Sequence, residues 1–277
     1  MNSDQLVSII ITTRNEEKLL ERLIRSIKKQ SYKNKEIIIV DNNSSDSTIE
    51  VIKRLKVAAY NFGPERSAQR NFGAGVSKGK HLLFLDADME LTKNVIKECV
   101  EVVKRNKVIG GVIIPEKSIA FKFWEKIKAF ERSFYNLEGD NVTDAARFFP
   151  KSIFLKCRGY DKNITGPEDW DLTENIKKRG YKIVRITSFI FHRERISSIW
   201  DLAKKKFYYG LDLHRYLKKQ KVSIINSKTV YFLRPVFYKN FDKLLMHPIL
   251  SIGLVIMFTV EFLAGGLGYI VGRAREL

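Results

Sequence analysis

Short apolar runs alternate with segments of helical periodicity along residues 6–115. Residues 6–12 are almost wholly apolar and predict a buried strand, with Thr13-Arg14-Asn15-Glu16 as the loop that follows. Residues 17–29 then carry Leu19, Leu20, Leu23, Ile24 and Ile27 at helical spacing. A second strand at 36–40 ends in Asp41-Asn42-Asn43-Ser44-Ser45-Asp46, a polar loop that also supplies N-caps for a helix at 47–55. Residues 57–60 predict a short third strand, and 65–77 a helix holding Arg66, Arg70 and Asn71 that stops at Gly79. A fourth strand, 81–85, runs into Asp86-Ala87-Asp88, and a helix at 93–105 and a strand at 110–115 follow. Strands alternating with helices of this length indicate βαβ units: an α/β fold whose mainly parallel sheet is flanked by helices.

Such sheets bind ligands beyond the carboxyl ends of their strands. The polar sets after strands one, two and four (12–16, 41–46 and 86–88) all fall on that edge, which turn chemistry alone does not explain for three at once. Further on, 119–135 reads as an amphipathic helix carrying Phe121, Phe123, Trp124, Phe130 and Phe134. Gly166-Pro167-Glu168-Asp169-Trp170-Asp171 opens a helix to 179, and a strand at 182–186 and an apolar stretch ending at His192 close this part.

The C-terminal third is patterned differently. Residues 196–219 read as one long amphipathic helix with Trp200, Phe207 and Leu211 on one face and lysines around it, and 230–237 as a second interfacial segment broken at Pro235. Residues 248–272 hold one charge, Glu261, and as a helix would be ~37 Å long, enough to cross a bilayer with tilt. The alternative is a buried core helix. Gly268 and Gly272 offer a small-residue contact face through which the helix can pair with a second copy, and Glu261 can face such a contact or a lipid-substrate groove. The reading divides the chain into a catalytic domain (1–195), amphipathic membrane-interface helices (196–247) and a single transmembrane helix (248–272).

The net charge is +19, which calls for an anionic partner. Residues 193–243 hold 13 Lys and Arg against 4 Asp and Glu, a local +9 beside the apolar span. That placement favours anionic membrane lipids over nucleic acid, which would need the charge spread along a groove with stacking aromatics. Cys99 and Cys157 match no metal spacing and read as buried thiols in a reducing compartment. Residues 1–5 carry no signal-peptide pattern, so the expectation is a cell-membrane protein with its catalytic part in the cytosol.

Two carboxylates one residue apart at a strand end suit a hard divalent cation that also takes phosphate oxygens. Asp86 and Asp88 are the primary candidates, Glu90 a third ligand and His192 a fourth. Arg70 and Arg66 suit bidentate contact with base, ribose or phosphate. Asp169, at a helix start that favours its charged form, is the candidate general base; Glu168 lies beside it, and Trp170 offers an apolar wall for a sugar face. Capping of the helix by Glu168, Asp169 and Asp171 is the plainer reading of the same residues.

In order, Val7 to Glu16, Ile38 to Asp46, Arg70-Asn71 with Gly73, Phe84-Leu85-Asp86-Ala87-Asp88 and Gly166 to Asp171 resemble the family-2 glycosyltransferases of GT-A fold, the nucleotide-diphospho-sugar transferase fold. The resemblance covers residues 5–195. It implies an inverting transfer dependent on Mn²⁺ or Mg²⁺, with Asp41 near the nucleobase, Asp86 and Asp88 on nucleotide and metal, and Asp169 as base. Thr12, Arg14, Glu16, Arg70, Glu168 and Trp170 complete the expected nucleotide and substrate contacts. A GT-A domain followed by interface helices and a membrane helix resembles a reduced cellulose-synthase-like arrangement, as in archaeal membrane mannosyltransferases making lipid-linked glycans. Asp86-Ala87-Asp88-Met89-Glu90 is also similar to the metal-binding run of dolichyl-phosphate mannose synthases, which usually carry Gln where Glu90 stands. The Gln-x-x-Arg-Trp motif of processive synthases is not present. The expected donor is GDP-mannose, then UDP-glucose, and the acceptor a polyprenyl- or dolichyl-linked saccharide or phosphate. A basic nucleotide- or nucleic-acid-binding protein without turnover is the reading from a different class.

Overall fold

The structure, a computed structural model, describes residues 5–140 and 142–275; apart from Gln5, the N-terminal segment read for a leader lies outside the described residues. In chain order the elements are β1 (Val7–Thr13), α1 (Leu20–Lys28), β2 (Lys35–Asp41), α2 (Thr48–Leu55), β3 (Ala58–Asn61), α3 (Arg66–Val76), β4 (His81–Asp86), β5 (Met89–Leu91), α4 (Val95–Arg105) and β6 (Ile109–Ile113). There follow β7 (Glu116–Ile119), α5 (Phe123–Arg132), β8 (Phe148–Pro150), α6 (Lys151–Lys156), α7 (Glu168–Lys178), β9 (Lys182–Arg185) and β10 (Ile190–Arg193). The last elements are α8 (Ile199–Leu211), α9 (Leu213–Gln220), a 3-10 turn at Tyr231–Leu233, α10 (Pro235–Lys239), α11 (Phe241–Met246) and α12 (Pro248–Ala274). The chain packs as two units, neither continuous: Met1–Pro115 with Ala145–Lys162 and Leu172–His192, and Glu116–Asp144 with Asn163–Asp171 and Arg193–Leu277. These boundaries differ from the expected division at 195.

The first unit is built on a seven-stranded sheet of order β3-β2-β1-β4-β8-β6-β9. All pairings are parallel except those of β8, which runs antiparallel to β4 and β6. The β-branched and leucine-rich runs fit strands buried on both faces. Side chains alternate: Ile9, Ile11, Leu83 and Leu85 enter one core, and Ile10, Ile38, Leu82 and Phe84 the other. Each such side chain contributes about 1.5–3 kcal/mol by leaving water, and Ile10→Ala would cost about 2–5 kcal/mol. Helix α3 lies close on the second face because Gly73 has no Cβ; one there would sit 2.5 Å from Ile10 Cγ2. Beside this sheet β5 and β10 pair antiparallel, with His192 opposite Met89 and Phe191 opposite Glu90. Cys99 and Cys157 are buried free thiols, as expected.

In the second unit, the expected helix over 119–135 begins only at α5. Residues of β7 are extended, and the Glu125 carboxylate accepts from the backbone N–H groups of Phe121 (2.9 Å) and Lys122 (3.0 Å), which fixes the later start. The expected helix 196–219 breaks at Asp212 into α8 and α9. Ser198 caps the first by accepting from Asp201 N, and Asp212 (φ −102°, ψ 0°) pairs with Arg215 as the second begins.

Helix α12 is long and apolar enough to cross a membrane by length and composition. Its Gly253, Leu254, Met257, Phe258, Glu261, Gly268 and Gly272 are buried, and the apolar ones pack with Ile127 and Phe130 of α5 and Leu202 of α8. Cβ atoms at Gly268 and Gly272 would fall 2.1 Å from Phe207 O and 2.0 Å from Leu211 O, so the small-residue face is filled by α8 of the same chain. It is therefore not the surface for a second copy that the spacing suggested. Glu261 is likewise turned inward, Oε1 lying 3.1 Å from Lys128 Nζ and 3.5 Å from Lys206 Nζ. Lys128 also pairs with Glu131, whose other oxygen is 3.2 Å from Arg234 Nη1.

Candidate functional site

The carboxyl ends of β2, β1 and β4 bring Asp41, Thr12 and Asp86 to one edge, with Thr13 level with Asp41 and Thr12 level with Asp86. Strand order reverses direction about β1, which is where α/β sheets open a crevice. Asp41 is 2% exposed: Oδ1 accepts from Thr13 Oγ1 (2.9 Å) and Ser44 Oγ (2.5 Å), and Oδ2 from Ser44 N (2.8 Å). The loop after β1 is laced to the loop after β2. Asn15, in the left-handed region at φ 58°, accepts from Ser45 N, while Asn15 N and Glu16 N donate to Ser44 Oγ and Thr48 Oγ1. Arg14 is exposed at the tip and Glu16 half-buried. Gln69 of α3 donates to Thr13 O and Val40 O, tying the helix to both strand ends.

Arg70 was expected to meet base, ribose or phosphate. It is instead buried, stacked over the Tyr160 ring at 5.0 Å, with Nη2 donating to Asp86 Oδ1 at 3.0 Å. Arg147 Nη1 reaches Asp86 Oδ2 at 3.4 Å. Burial opposes the charged form of Asp86, but Arg70, then Arg147, Arg66 and His192 outweigh it and hold the carboxyl well below the usual range. Asp86 is thus a fixed anion with both oxygens engaged by guanidinium groups. Arg147 and Tyr160 belong to this cluster, and neither was among the candidates read from the sequence.

Asp88 sits in the turn between β4 and β5, and the β5–β10 pairing carries His192 to it, Nε2 lying 3.4 Å from Asp88 Oδ1. That oxygen is buried and accepts no hydrogen bond. A buried carboxylate oxygen that accepts no hydrogen bond, with an imidazole nitrogen 3.4 Å away, brings a hard and a borderline ligand together in a way that fits a divalent cation. Glu90 is not part of it: its carboxylate is 4.0 Å from Arg22 Nε and lines a groove with Lys18, Arg25 and Lys93. Among the described residues no cluster of three His, Cys, Asp or Glu gathers at one point, so a cation held here would draw its remaining ligands from water or substrate.

The other candidates are in the second unit, on the first turn of α7. Glu168 is 1% exposed, Asp169 and Trp170 are half-buried, and Asp171 N donates to Pro167 O. Gly166 precedes them at φ +101°, where a Cβ would also press on Tyr209 at 2.9 Å, so only glycine suits the turn. Trp170 Nε1 donates to Thr143 O (3.1 Å), and Lys228 Nζ lies 5.4 Å from the indole centre. Asp171 is fully buried between Lys219 Nζ (2.7 Å) and Gln220 Nε2 (2.6 Å), a structural clamp on α9.

Residues 8–164, more than half the chain, match Glycosyl transferase family 2. An uncharacterized glycosyltransferase, MJ1057, of Methanocaldococcus jannaschii is 28% identical over 263 residues, covering 84% of this chain and 86% of that protein. A GalNAc(5)-diNAcBac-PP-undecaprenol β-1,3-glucosyltransferase of Campylobacter jejuni is 33% identical over 125 residues, 40% of this chain and 39% of its own length. Apart from the Methanocaldococcus protein, the chain spans about half or less of the length of the curated relatives it matches most strongly. Among solved structures, the mannosyltransferase PcManGT of Pyrobaculum calidifontis, in complex with GDP-Man and Mn²⁺, superposes with a TM-score of 0.58 at 14% identity over 99% of this chain and 76% of that one. The ordered motifs, the sheet with its reversal at β1 and the family match agree: the chain belongs to the family-2 glycosyltransferases, on a GT-A fold.

Proposed function

We propose that this protein is an inverting, metal-dependent hexosyltransferase. It moves a sugar, mannose from GDP-mannose as first choice and glucose from UDP-glucose as second, to a polyprenyl- or dolichyl-linked acceptor at the cytosolic face of the cell membrane. The observation that carries it is the Asp88–His192 pair, with its donorless oxygen, beside an Asp86 locked in its charged form. Asp88 and His192 would hold Mn²⁺ or Mg²⁺, which when bound offsets the charge gathering on the leaving diphosphate. Thr12 and the laced loops that carry Arg14, Glu16 and Asp41 shape the nucleoside pocket; Asp41 acts by fixing Thr13 and Ser44 in place. Asp86, held by Arg70 and Arg147, presents an oriented anion to the ribose side of the nucleotide.

Asp169 takes the proton from an acceptor hydroxyl, and Trp170 flanks the sugar ring, with Glu168 supporting the turn. A lipid-linked acceptor is supported by the undecaprenol-linked substrate named for the Campylobacter relative and by the basic and apolar C-terminal elements. A polyprenyl-phosphate mannose or glucose synthase proper is the closest variant of this reading, differing in that its acceptor is already an anion.

The test is a thermal-shift screen of the full chain against GDP and UDP with and without Mn²⁺. A shift that requires both a nucleoside diphosphate and the metal is expected, and the preferred base assigns the donor. Absence of metal-dependent stabilisation by any nucleoside diphosphate overturns the proposal.

A further inference from the structure

The geometry points to α12 lying in the plane of the membrane surface, on a platform made by α5 and α8, and not crossing the bilayer. The inference rests on the membrane attachment proposed above and deepens it. Two facing stripes run the length of the helix. The inner one, from Gly253 to Gly272, is buried against its own unit. The outer one is apolar and open: Ile249 is 71% exposed, Ile256 47%, Leu263 63% and Ile270 64%. These positions recur at helical spacing over 21 residues, so the open stripe is ~32 Å long.

What excludes a crossing is the company α12 keeps. Leu202 of α8 shares a core with Leu254, Met257 and Phe258, Lys206 reaches Glu261, and Phe207, Gly210 and Leu211 meet Gly265, Gly268 and Gly272. The two helices therefore run side by side in the same direction over most of α12. Helix α8 carries Asp201, Lys204 and Lys205, all exposed. Were α12 to span, those charges would be drawn into hydrocarbon with it, an arrangement bilayers reject. The midpoint of α12 is also tied, through Glu261 and Lys128, to α5, whose Lys126 is exposed, as is Lys122 just before it. In-plane seating removes both conflicts. The outer stripe sinks about 5–10 Å into the boundary between headgroups and acyl chains, while lysines of α8 and α10 meet anionic headgroups. Exposed Trp200 (74%) and Tyr238 (65%) are suited to that depth.

The experiment uses the full chain in membranes prepared right-side-out and inside-out from expressing cells, with Lys204→Cys, Arg275→Cys or Ile256→Cys introduced singly and probed with a membrane-impermeant maleimide. The two native cysteines are buried and serve as the unlabelled background. Positions 204 and 275 are expected to label in the same preparation, and position 256 to label at least tenfold less until detergent is added. Labelling of 204 and 275 in opposite preparations, or protection of 204 in both until detergent is added, means a crossing and overturns the inference. So does free labelling of 256 in membranes, or its protection in a soluble dimer with no lipid present. Recovery of the chain in the soluble fraction alone would instead overturn membrane attachment itself, and neither result bears on nucleotide binding, so the failures are distinguishable.

Discussion

Arg70 donates to Asp86 across 3.0 Å from a side chain that is 1% exposed, so the first carboxylate of the Asp86-Ala87-Asp88 run is held by a buried cation. Arg147 Nη1 stays 3.4 Å from Asp86 when Arg70 is removed, so the cost is that of a lost charge-assisted hydrogen bond, about 1.5–3 kcal/mol, and not that of an unpaired buried charge. Arg70→Met is expected to lower unfolding free energy by that amount in urea titration. Arg70→Lys should recover part of it, because a single ammonium cannot both stack on Tyr160 and reach Asp86. The folded Asp86 titrates below its unfolded value. The stability it contributes is therefore full above about pH 4 and falls away as pH drops further.

His81 yields a pH dependence in a different window. It is buried beside Phe148 at 5.3 Å, with Nε2 2.6 Å from Gln5 Oε1, and burial, then Lys104 and Lys80, bring its pKa down to about 4. The unfolded imidazole takes its proton near pH 6.5. Stability is thus complete above that value and declines as pH falls from 6.5 to about 4, by roughly 3 kcal/mol in all. His81→Phe should flatten the curve between pH 4 and 6.5 in calorimetry; an unchanged slope assigns the effect to another group.

Asp88, His192 and Glu90 separate under substitution. Asp88→Asn and His192→Ala should each abolish the Mn²⁺-dependent part of nucleotide stabilisation while leaving the apo melting temperature within a few degrees. Glu90→Gln should retain it, since that carboxylate lies against Arg22. Titrating Mn²⁺ at fixed GDP, with each variant in turn, reads the difference.

Asp169→Asn distinguishes the two acceptor classes. A saccharide hydroxyl needs its proton removed, and loss of the base should lower kcat by about 10²–10⁴. A phosphate acceptor is already ionised, and the variant should then keep most of its rate. The readout is transfer to a lipid-linked saccharide and to a polyprenyl phosphate, compared at saturating donor.

The βαβ half of the chain could be read from sequence because continuous apolar runs at residues 6–12, 36–40 and 81–85 each end in a polar cluster, and parallel packing sets those ends side by side. The short strands β3 and β9 were foreseen, but β5 and β7 escaped, and nothing local to β5 and β10 signals that they pair. His192 was consequently visible only as a lone histidine. Glu90 was expected as a third ligand beside Asp88, but Asp88 lies in a turn, where the two-residue period that would put both on one face does not hold. Arg147, just before β8, is far from Asp86 in sequence and reaches it because β8 pairs with β4, a juxtaposition that only the tertiary fold defines. In the C-terminal third, apolar composition was plain while the covering of each face was not. Gly268 and Gly272 announce a close helix contact, yet nothing in their spacing says that α8 supplies it.

The glycines that seat α12 on α8 divide its sequence into two kinds of position. Along the inner stripe size is the constraint, because a single methyl group at Gly268 or Gly272 would run into a backbone carbonyl that cannot swing aside. With the outer stripe seated in lipid as inferred above, its positions need only be apolar, and Ile249, Leu263 and Ile270, all exposed, could be exchanged for valine, leucine or phenylalanine with little effect. A library randomised over α12 should therefore return fixed glycines every few residues on one side and a scrambled apolar alphabet on the other. The helix is in this sense half protein core and half solvent-matched surface, and each half tolerates what the other forbids.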